Sequence, residues 1–286
     1  MITDYHAKYF AHELSRRHSA ADSEKLAGAL FDAQVDLNPH QVSAALFAFK
    51  SPLSKGAILA DEVGLGKTIE AGLVLSQKWA EGKRRILIIT PASLRKQWVQ
   101  EMKDKFFLPS MILEAKNYNR MIKDGVSRPF EQPEIILCSY QFAARRDEEL
   151  MIIPWDLVVM DEAHRVRNVF KPSNKIGRSL RSALSNVPKL LLTATPLQNS
   201  LMELYGLVSF IDEYAFGDAK SFRSQYARLT GDDSFNELQR RLEPICHRTL
   251  RRQVLEYIRY TALRARLRTL KEQTGTIWTQ WPKIRP

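Results

Sequence analysis

The sequence predicts an α/β fold: a doubly wound, mostly parallel sheet with helices on both faces. Three observations predict it. Along the middle of the chain, short apolar runs alternate with amphipathic stretches of helical length, the order that builds a parallel sheet through helical crossovers. The runs are continuously apolar, as in strands covered on both faces. Each polar motif that stands out in this region follows the carboxyl end of such a run, the edge where open α/β sheets bind ligands.

Taken in order, residues 4–35 read as one or two amphipathic helices. Tyr5, Tyr9, Phe10 and Leu14, then Leu26, Leu30 and Phe31, recur at helical spacing. His6, His12 and His18 are six apart, unlike the i, i+4 spacing that puts two metal ligands on one face, so they read as ordinary helix residues. Leu37-Asn38-Pro39-His40-Gln41 opens a helix over Gln41–Phe49, with Asn38 as a cap and Pro39 suited to the first turn. Ala57-Ile58-Leu59 is a strand and Ile69–Trp79 a helix. Arg85–Thr90 is a buried strand, after which Pro91–Trp98 turns into a helix. Further strands are expected at Glu134–Ser139, Leu157–Met160 and Lys189–Thr193.

Composition narrows the class. Hydrophobic residues make up 44% of the chain and charged ones 26%, ordinary values for a soluble globular protein. No apolar run approaches the ~18 residues of a membrane span. Met1–His6 lacks a basic start followed by an apolar core, so no secretory signal is visible. The two cysteines, Cys138 and Cys246, read as reduced thiols of a cytoplasmic protein with no membrane partner. The net charge of +11 suggests a polyanion partner. Yet the segment from His247 onward holds ten Lys and Arg against two Glu, so the body is nearly balanced and global charge points only weakly to nucleic acid.

Ala60-Asp61-Glu62-Val63-Gly64-Leu65-Gly66-Lys67-Thr68 lies between a strand and a helix, the layout of a phosphate-binding loop. Gly64 and Gly66 let the backbone curl so that successive N–H groups face one anion. The helix after the loop aims its positive end at the same place. Lys67 would reach the β- and γ-phosphates, and the Thr68 hydroxyl would bind Mg²⁺. The generic pattern G-x-x-x-x-G-K-S/T has glycine where this chain has Asp61. Taken alone, the stretch also reads as a glycine turn before a surface helix. Upstream, Gln41 offers an amide with both a donor and an acceptor, the pair an adenine edge requires.

Asp161-Glu162-Ala163-His164 ends a buried apolar run. Two carboxylates there are unfavourable unless a cation pairs with them, and Mg²⁺ is such a cation. Asp161 would hold it through its water shell, while Glu162 would orient and deprotonate an attacking water. His164 could link the site to moving parts. Thr193-Ala194-Thr195-Pro196-Leu197-Gln198-Asn199 puts two hydroxyls at another strand end, locked by proline.

In this order and spacing, the three stretches resemble motifs I, II and III of the Swi/Snf-type branch of superfamily-two helicases, relatives of the DEAD/DEAH-box proteins. Asp61 is usual in that branch. Asn38-Pro39-His40-Gln41 resembles its upstream glutamine motif and Thr90-Pro91-Ala92-Ser93-Leu94 its motif Ia, while Cys138-Ser139-Tyr140 occupies the place of motif Ib. The resemblance spans about residues 36–252, and Glu70-Ala71-Gly72 looks closer to bacterial members. It implies a RecA-like P-loop NTPase, the first lobe of an ATP-driven translocase on double-stranded DNA. It implies that Lys67, Thr68, Asp161 and Glu162 bind and hydrolyse Mg·ATP, that Asp61, Gly64, Leu65 and Gly66 bind the nucleotide as part of the loop, and that Gln41 reads adenine. It further implies that Pro91, Ser93, Arg95, Ser139, Thr193 and Thr195 touch or sense the DNA backbone and that His164 couples. Backbone contact suits a motor that ignores sequence.

The expected domains are a helical segment over 1–35, the lobe over 36–252, and a basic tail over 253–286. Arg248-Thr249-Leu250-Arg251-Arg252 resembles the close of a first lobe. The tail is too short to be a second lobe, since a domain needs at least ~50 residues. The family's second lobe carries arginines worth ~10³–10⁵ in rate, so the chain by itself is expected to be inactive or very weak. The tail reads as a truncated or frameshifted end, as one half of a split pair whose second lobe acts in trans, or as a basic appendage with Trp278 and Trp281 as stacking faces. A non-catalytic nucleotide- and DNA-binding module is the alternative function. An RNA helicase lobe is another, against which Gly64-Leu65-Gly66 and Leu197-Gln198-Asn199 argue.

Overall fold

The structure, a computed structural model, describes residues 37–50, 55–226 and 232–254. The helical segment expected over 1–35 and the basic tail beyond Val254, Trp278 and Trp281 included, lie outside the described residues.

Seven strands form one sheet: β1 (Gly56–Leu59), β2 (Ile86–Ile89), β3 (Ser110–Ile112), β4 (Ile135–Cys138), β5 (Leu157–Asp161), β6 (Lys189–Leu192) and β7 (Cys246–His247). Their order is β3-β4-β2-β5-β6-β1-β7, and every neighbouring pair is parallel. The helices are α1 (Pro39–Lys50), α2 (Lys67–Ala80), α3 (Arg95–Phe106), α4 (Ala115–Lys123), α5 (Tyr140–Ala144), α6 (Asp147–Ile152), α7 (Lys175–Ala183), α8 (Leu201–Ile211), α9 (Ala219–Tyr226) and α10 (Asp232–Leu242). The expected strands stand within a residue or two of their predicted bounds. β3 and β7 were not foreseen. At three and two residues they are too short to carry a periodic signal, and as the two edges of the sheet they show the short length that limits edge-to-edge association.

The continuous apolar runs are explained by the two cores. Ile58, Leu87, Ile89, Ile136, Cys138, Val158, Met160 and Leu191 face one side, packed with residues of α5, α7, α8 and α9. Their neighbours Ala57, Leu59, Ile86, Ile88, Ile135, Leu137, Leu157, Val159, Leu190 and Leu192 face the other, against α1, α2 and α3. Alternate residues of each strand thus enter different cores, so neither face can be polar. Cys138 and Cys246 are free thiols, both pushed up to about 12 by burial. Among the described residues, no helix is long and apolar enough to cross a membrane.

Candidate functional site

Strand register assembles the site. Leu59 of β1 pairs with Leu192 of β6, which pairs with Asp161 of β5. The next residues of each strand therefore emerge side by side from the carboxyl edge: the loop after β1, the Thr193 turn after β6 and Glu162 after β5. Adjacent strands lie ~4.8 Å apart, so the loop strand and the acidic strand, one strand between them, stand about 10 Å apart. A phosphate chain with its cation fits that span. β2 extends the same row, since Ile89 pairs with Met160 and Cys138, bringing Thr90 and Ser139 to this edge.

The loop has the anticipated curl. Gly64 and Gly66 adopt φ of 83° and 94°, left-handed values that glycine reaches without steric cost. Gly66 is the N-cap of α2 and supplies no side chain to its N–H groups, which leaves the helix end open to an anion. Lys67 Nζ donates to the Asp61 and Glu62 carbonyls at 2.9 and 3.4 Å. Thr68 is the second residue of α2. Leu65 is buried, and its carbonyl accepts from Gln41 Nε2 at 2.9 Å and stands 3.0 Å from His40 Nε2. Gln41 Oε1 accepts from Asn38 N–H at 3.1 Å. Both ends of the Gln41 amide thus brace the loop from α1. Gly66 leaves room for that contact: a Cβ there would lie 2.4 Å from Gln41 Nε2.

Asp61, the departure from the generic loop pattern, is fully buried. Its Oδ1 accepts from Thr249 N–H at 2.7 Å and lies 3.4 Å from His247 Nδ1. Burial alone would raise its pKa, but the bonds from His247 and Thr249 outweigh burial and hold the carboxyl below the usual range. Glu70 lies beside it, also fully buried. Burial, then the Asp61 charge, pushes Glu70 up to about 9, so at neutral pH it is a carboxylic acid. Asp61 Oδ2, both Glu70 oxygens and His40 Nδ1 have no other partner, and Asp61, Glu70 and His40 bring their polar atoms within 4.8 Å of one another. The Glu70 proton supplies the one donor this cluster of acceptors needs.

Asp161 is buried behind the opening. Its Oδ2 accepts from Trp98 Nε1 at 2.8 Å and from Thr90 Oγ1 at 3.2 Å, and its Oδ1 from Glu162 N–H at 2.9 Å. Tyr140 Oη donates to its carbonyl at 2.7 Å. Burial raises its pKa, the Glu162 charge adds to the rise, and the Trp98 bond is the chief force pulling it down. A nearby cation would complete the compensation, as the donor set implies. Glu162 is half-buried in the left-handed region at φ 52°, ψ 47°. For a residue with a Cβ this stores about 1–2 kcal/mol, strain that collects where geometry serves function. His164 Nδ1 stands 3.0 Å from Glu162 Oε2 but off the hydrogen-bond direction, so the contact is an ion pair only when the ring is protonated.

The geometry has a counterpart among known proteins. The SNF2-related domain family matches residues 14–279. This chain belongs to that family. It is similar to the uncharacterized ATP-dependent helicase YqhH of Bacillus subtilis, with 36% identity over 219 residues, 76% of this chain and 36% of that protein. It is similar to the RNA polymerase-associated protein RapA of Sodalis glossinidius, with 33% identity over 200 residues, 68% of this chain and 20% of that protein. Among solved structures, the Sulfolobus solfataricus SWI2/SNF2 ATPase core in complex with dsDNA aligns with a TM-score of 0.65 and 25% identity, over 77% of this chain and 46% of that one. The chain thus spans between a fifth and about a third of these curated relatives. The sheet is the RecA-like sheet of a Swi/Snf-type superfamily-two helicase lobe.

In this SNF2-related lobe the remaining site candidates fall into two groups. Ser93 and Thr195 are exposed at the carboxyl edge. Pro91, Ser139 and Thr193 are buried. Ser139 Oγ accepts from Phe142 N–H at 3.2 Å and caps α5, and Thr193 Oγ1 accepts from Thr195 N–H at 3.2 Å, so Ser139 shapes the start of α5 and Thr193 the turn that carries Thr195. Arg95 is partly buried and donates to Glu114 Oε2 at 3.0 Å and to the Ala92 carbonyl at 3.2 Å.

Three residues of the SNF2-related site carry no signal in the sequence motifs. Trp98 is one. Arg167 and buried Glu203 are the others: Arg167 Nε lies 3.4 Å from Glu203 Oε1, and Arg167 donates to Gln198 Oε1 at 2.7 Å. Glu203 also accepts from the N–H groups of Gln198 and Asn199, both at 3.0 Å. Burial would raise the Glu203 pKa, but the bonds from Asn199 and Gln198 and the Arg167 charge hold it down. The turn after the acidic strand is thereby tied to the Thr195–Asn199 loop. An acid at the i+4 position from Asn199 was the only available cue.

Proposed function

We propose that this chain is the ATP-binding lobe of an ATP-driven translocase on double-stranded DNA, turning ATP into ADP and phosphate when a second RecA-like lobe completes it. The observation that supports this most is the shared row at the carboxyl edge, where the open helix end at Lys67 and Thr68 faces Asp161 and Glu162 across one strand. The residues fit Mg·ATP. The loop N–H groups from Gly64 to Thr68 and the Lys67 ammonium would hold the phosphates and Thr68 and Asp161 the Mg²⁺ through water; Gln41, whose amide braces the loop at both ends, would meet adenine with its second N–H and its second oxygen lone pair. Mg²⁺ would neutralise charge on the transferring phosphoryl group. Glu162, strained and half-exposed, orients a water and takes its proton. His164 couples this carboxylate to the moving parts of the motor. Pro91, Ser93, Arg95, Ser139, Thr193 and Thr195 form or shape the DNA track. The dsDNA complex of the Sulfolobus neighbour supports this duplex partner. A cytoplasmic location fits the free thiols, Cys138 buried and Cys246 half-buried.

The test is nucleotide binding and steady-state hydrolysis, with and without duplex DNA. Lys67→Ala is expected to abolish ATP binding; unchanged affinity refutes the loop assignment. Glu162→Gln is expected to keep binding and remove turnover, and full residual turnover removes Glu162 from its role.

A further inference from the structure

The phosphate loop is gripped from outside by the segment that leaves β7. Pairing between β1 and β7, Ile58 with Cys246 and Leu59 with His247, continues past both strand ends. Ala60 N–H donates to the His247 carbonyl at 2.7 Å and Glu62 N–H to the Thr249 carbonyl at 3.2 Å. In return, Thr249 N–H donates to Asp61 Oδ1 at 2.7 Å and Arg251 N–H to Glu62 Oε2 at 2.8 Å. Residues 247–251 are therefore fixed in register on residues 60–62.

That register delivers one side chain to the tip of the loop. The Arg251 Nη2 atom donates to the Val63 carbonyl at 3.2 Å and lies 2.8 Å from where a Cβ on Gly64 would stand. Glycine at 64 thus serves both its φ of 83° and the approach of this guanidinium. Arg251 is exposed and, among the described residues, forms no ion pair with a carboxylate. One carbonyl uses one of five N–H donors. The others form a planar fork suited to two oxygens of one anion, at the mouth of a loop whose own cation, Lys67, is attached on the inner side.

We propose that Arg251 is a nucleotide-contacting residue whose guanidinium binds the terminal phosphate of a nucleoside triphosphate seated in the loop. This rests on the proposed nucleotide site and adds to it a cation carried on the same lobe. The helix end and Lys67 serve a diphosphate as well as a triphosphate. A second cation at the loop tip favours the triphosphate, whose extra charge it meets.

The experiment is calorimetric titration of the full 286-residue chain with Mg·ATP and, separately, Mg·ADP, for the unmodified chain, Arg251→Ala, Arg251→Lys and Arg252→Ala. Arg251→Ala is expected to weaken ATP about 10- to 100-fold, as for loss of a charge-assisted bidentate contact, and ADP by less than about threefold. Arg251→Lys restores part of the ATP affinity, because it keeps the charge and loses the fork. Arg252→Ala leaves the ATP-to-ADP ratio where it was. A ratio that Arg251→Ala does not change, through equal loss of both ligands or loss of neither, overturns the inference while the nucleotide site stands. An unmodified chain that binds neither nucleotide overturns both.

Discussion

Replacing Trp98 with phenylalanine removes one N–H from Asp161 and little else, which makes it a clean probe of how the acidic strand end is held. Trp98 is almost wholly buried, and its Nε1 lies 2.8 Å from Asp161 Oδ2. A hydrogen bond to an ionised group contributes about 1.5–3 kcal/mol. The missing ring atoms, about 40 Å³, add about 1 kcal/mol at ~24 cal/mol per Å³ of cavity. The two parts separate by pH. Asp161 already has a raised pKa, and the Trp98 bond is the main force opposing the rise, so Trp98→Phe raises it further. A carboxyl with a raised folded pKa stabilises fully below its unfolded value and loses that contribution as pH climbs through the folded value. The electrostatic part of the Trp98→Phe loss is therefore small at a low pH, where the carboxyl is protonated, and complete at a pH above its folded value, while the cavity part is constant. Urea unfolding followed by far-UV circular dichroism avoids the fluorescence change of losing one of five tryptophans. A loss of equal size at both pH values refutes the reasoning, because the N–H would then not be supporting the charged carboxylate.

Other perturbations test the same packing. Glu70 has its folded pKa raised from 4.5 to about 9, so its stabilisation is complete below about pH 4.5 and lost as pH rises toward 9. Glu70→Gln stays neutral, and its unfolding free energy should fall less steeply between about pH 6 and 8, by up to ~1.4 kcal/mol per pH unit; parallel curves refute the protonated Glu70. Gly206 of α8 has no room for a side chain, since a Cβ would lie 1.7 Å from the Arg167 carbonyl oxygen. Gly206→Ala should lose at least the ~1–3 kcal/mol of overpacking, checked as a lower urea midpoint, because backbone rather than a mobile side chain must yield.

What the sequence made legible was whatever repeats locally. Continuous apolar runs disclosed β1, β2, β4, β5 and β6 because each core takes alternate residues of the same strand. The loop glycines disclosed the curl because only that residue type reaches φ of 83° and 94° without strain. Trp98 was not legible. Its partner lies 63 positions away, and a buried tryptophan on a helix reads as core, which it also is. β7 and the segment behind it were not legible either, since two residues carry no period.

Asp61 shows most clearly where local reading ends. By the generic pattern it breaks the loop, and by family resemblance it is merely usual. Its physical role depends on Thr249, 188 positions later, whose N–H it receives while fully buried. A glycine in its place would leave that N–H with no acceptor in the interior, at about 1–3 kcal/mol. It would also remove one of the four bonds that hold the segment carrying Arg251 to the loop. The phosphate loop of this lobe is therefore a two-part structure: a curl that glycines permit, and a clamp that an aspartate attaches from the far end of the chain. Asp61 and Glu62 belong to both, Asp61 through Thr249 and Glu62 through Thr249 and Arg251.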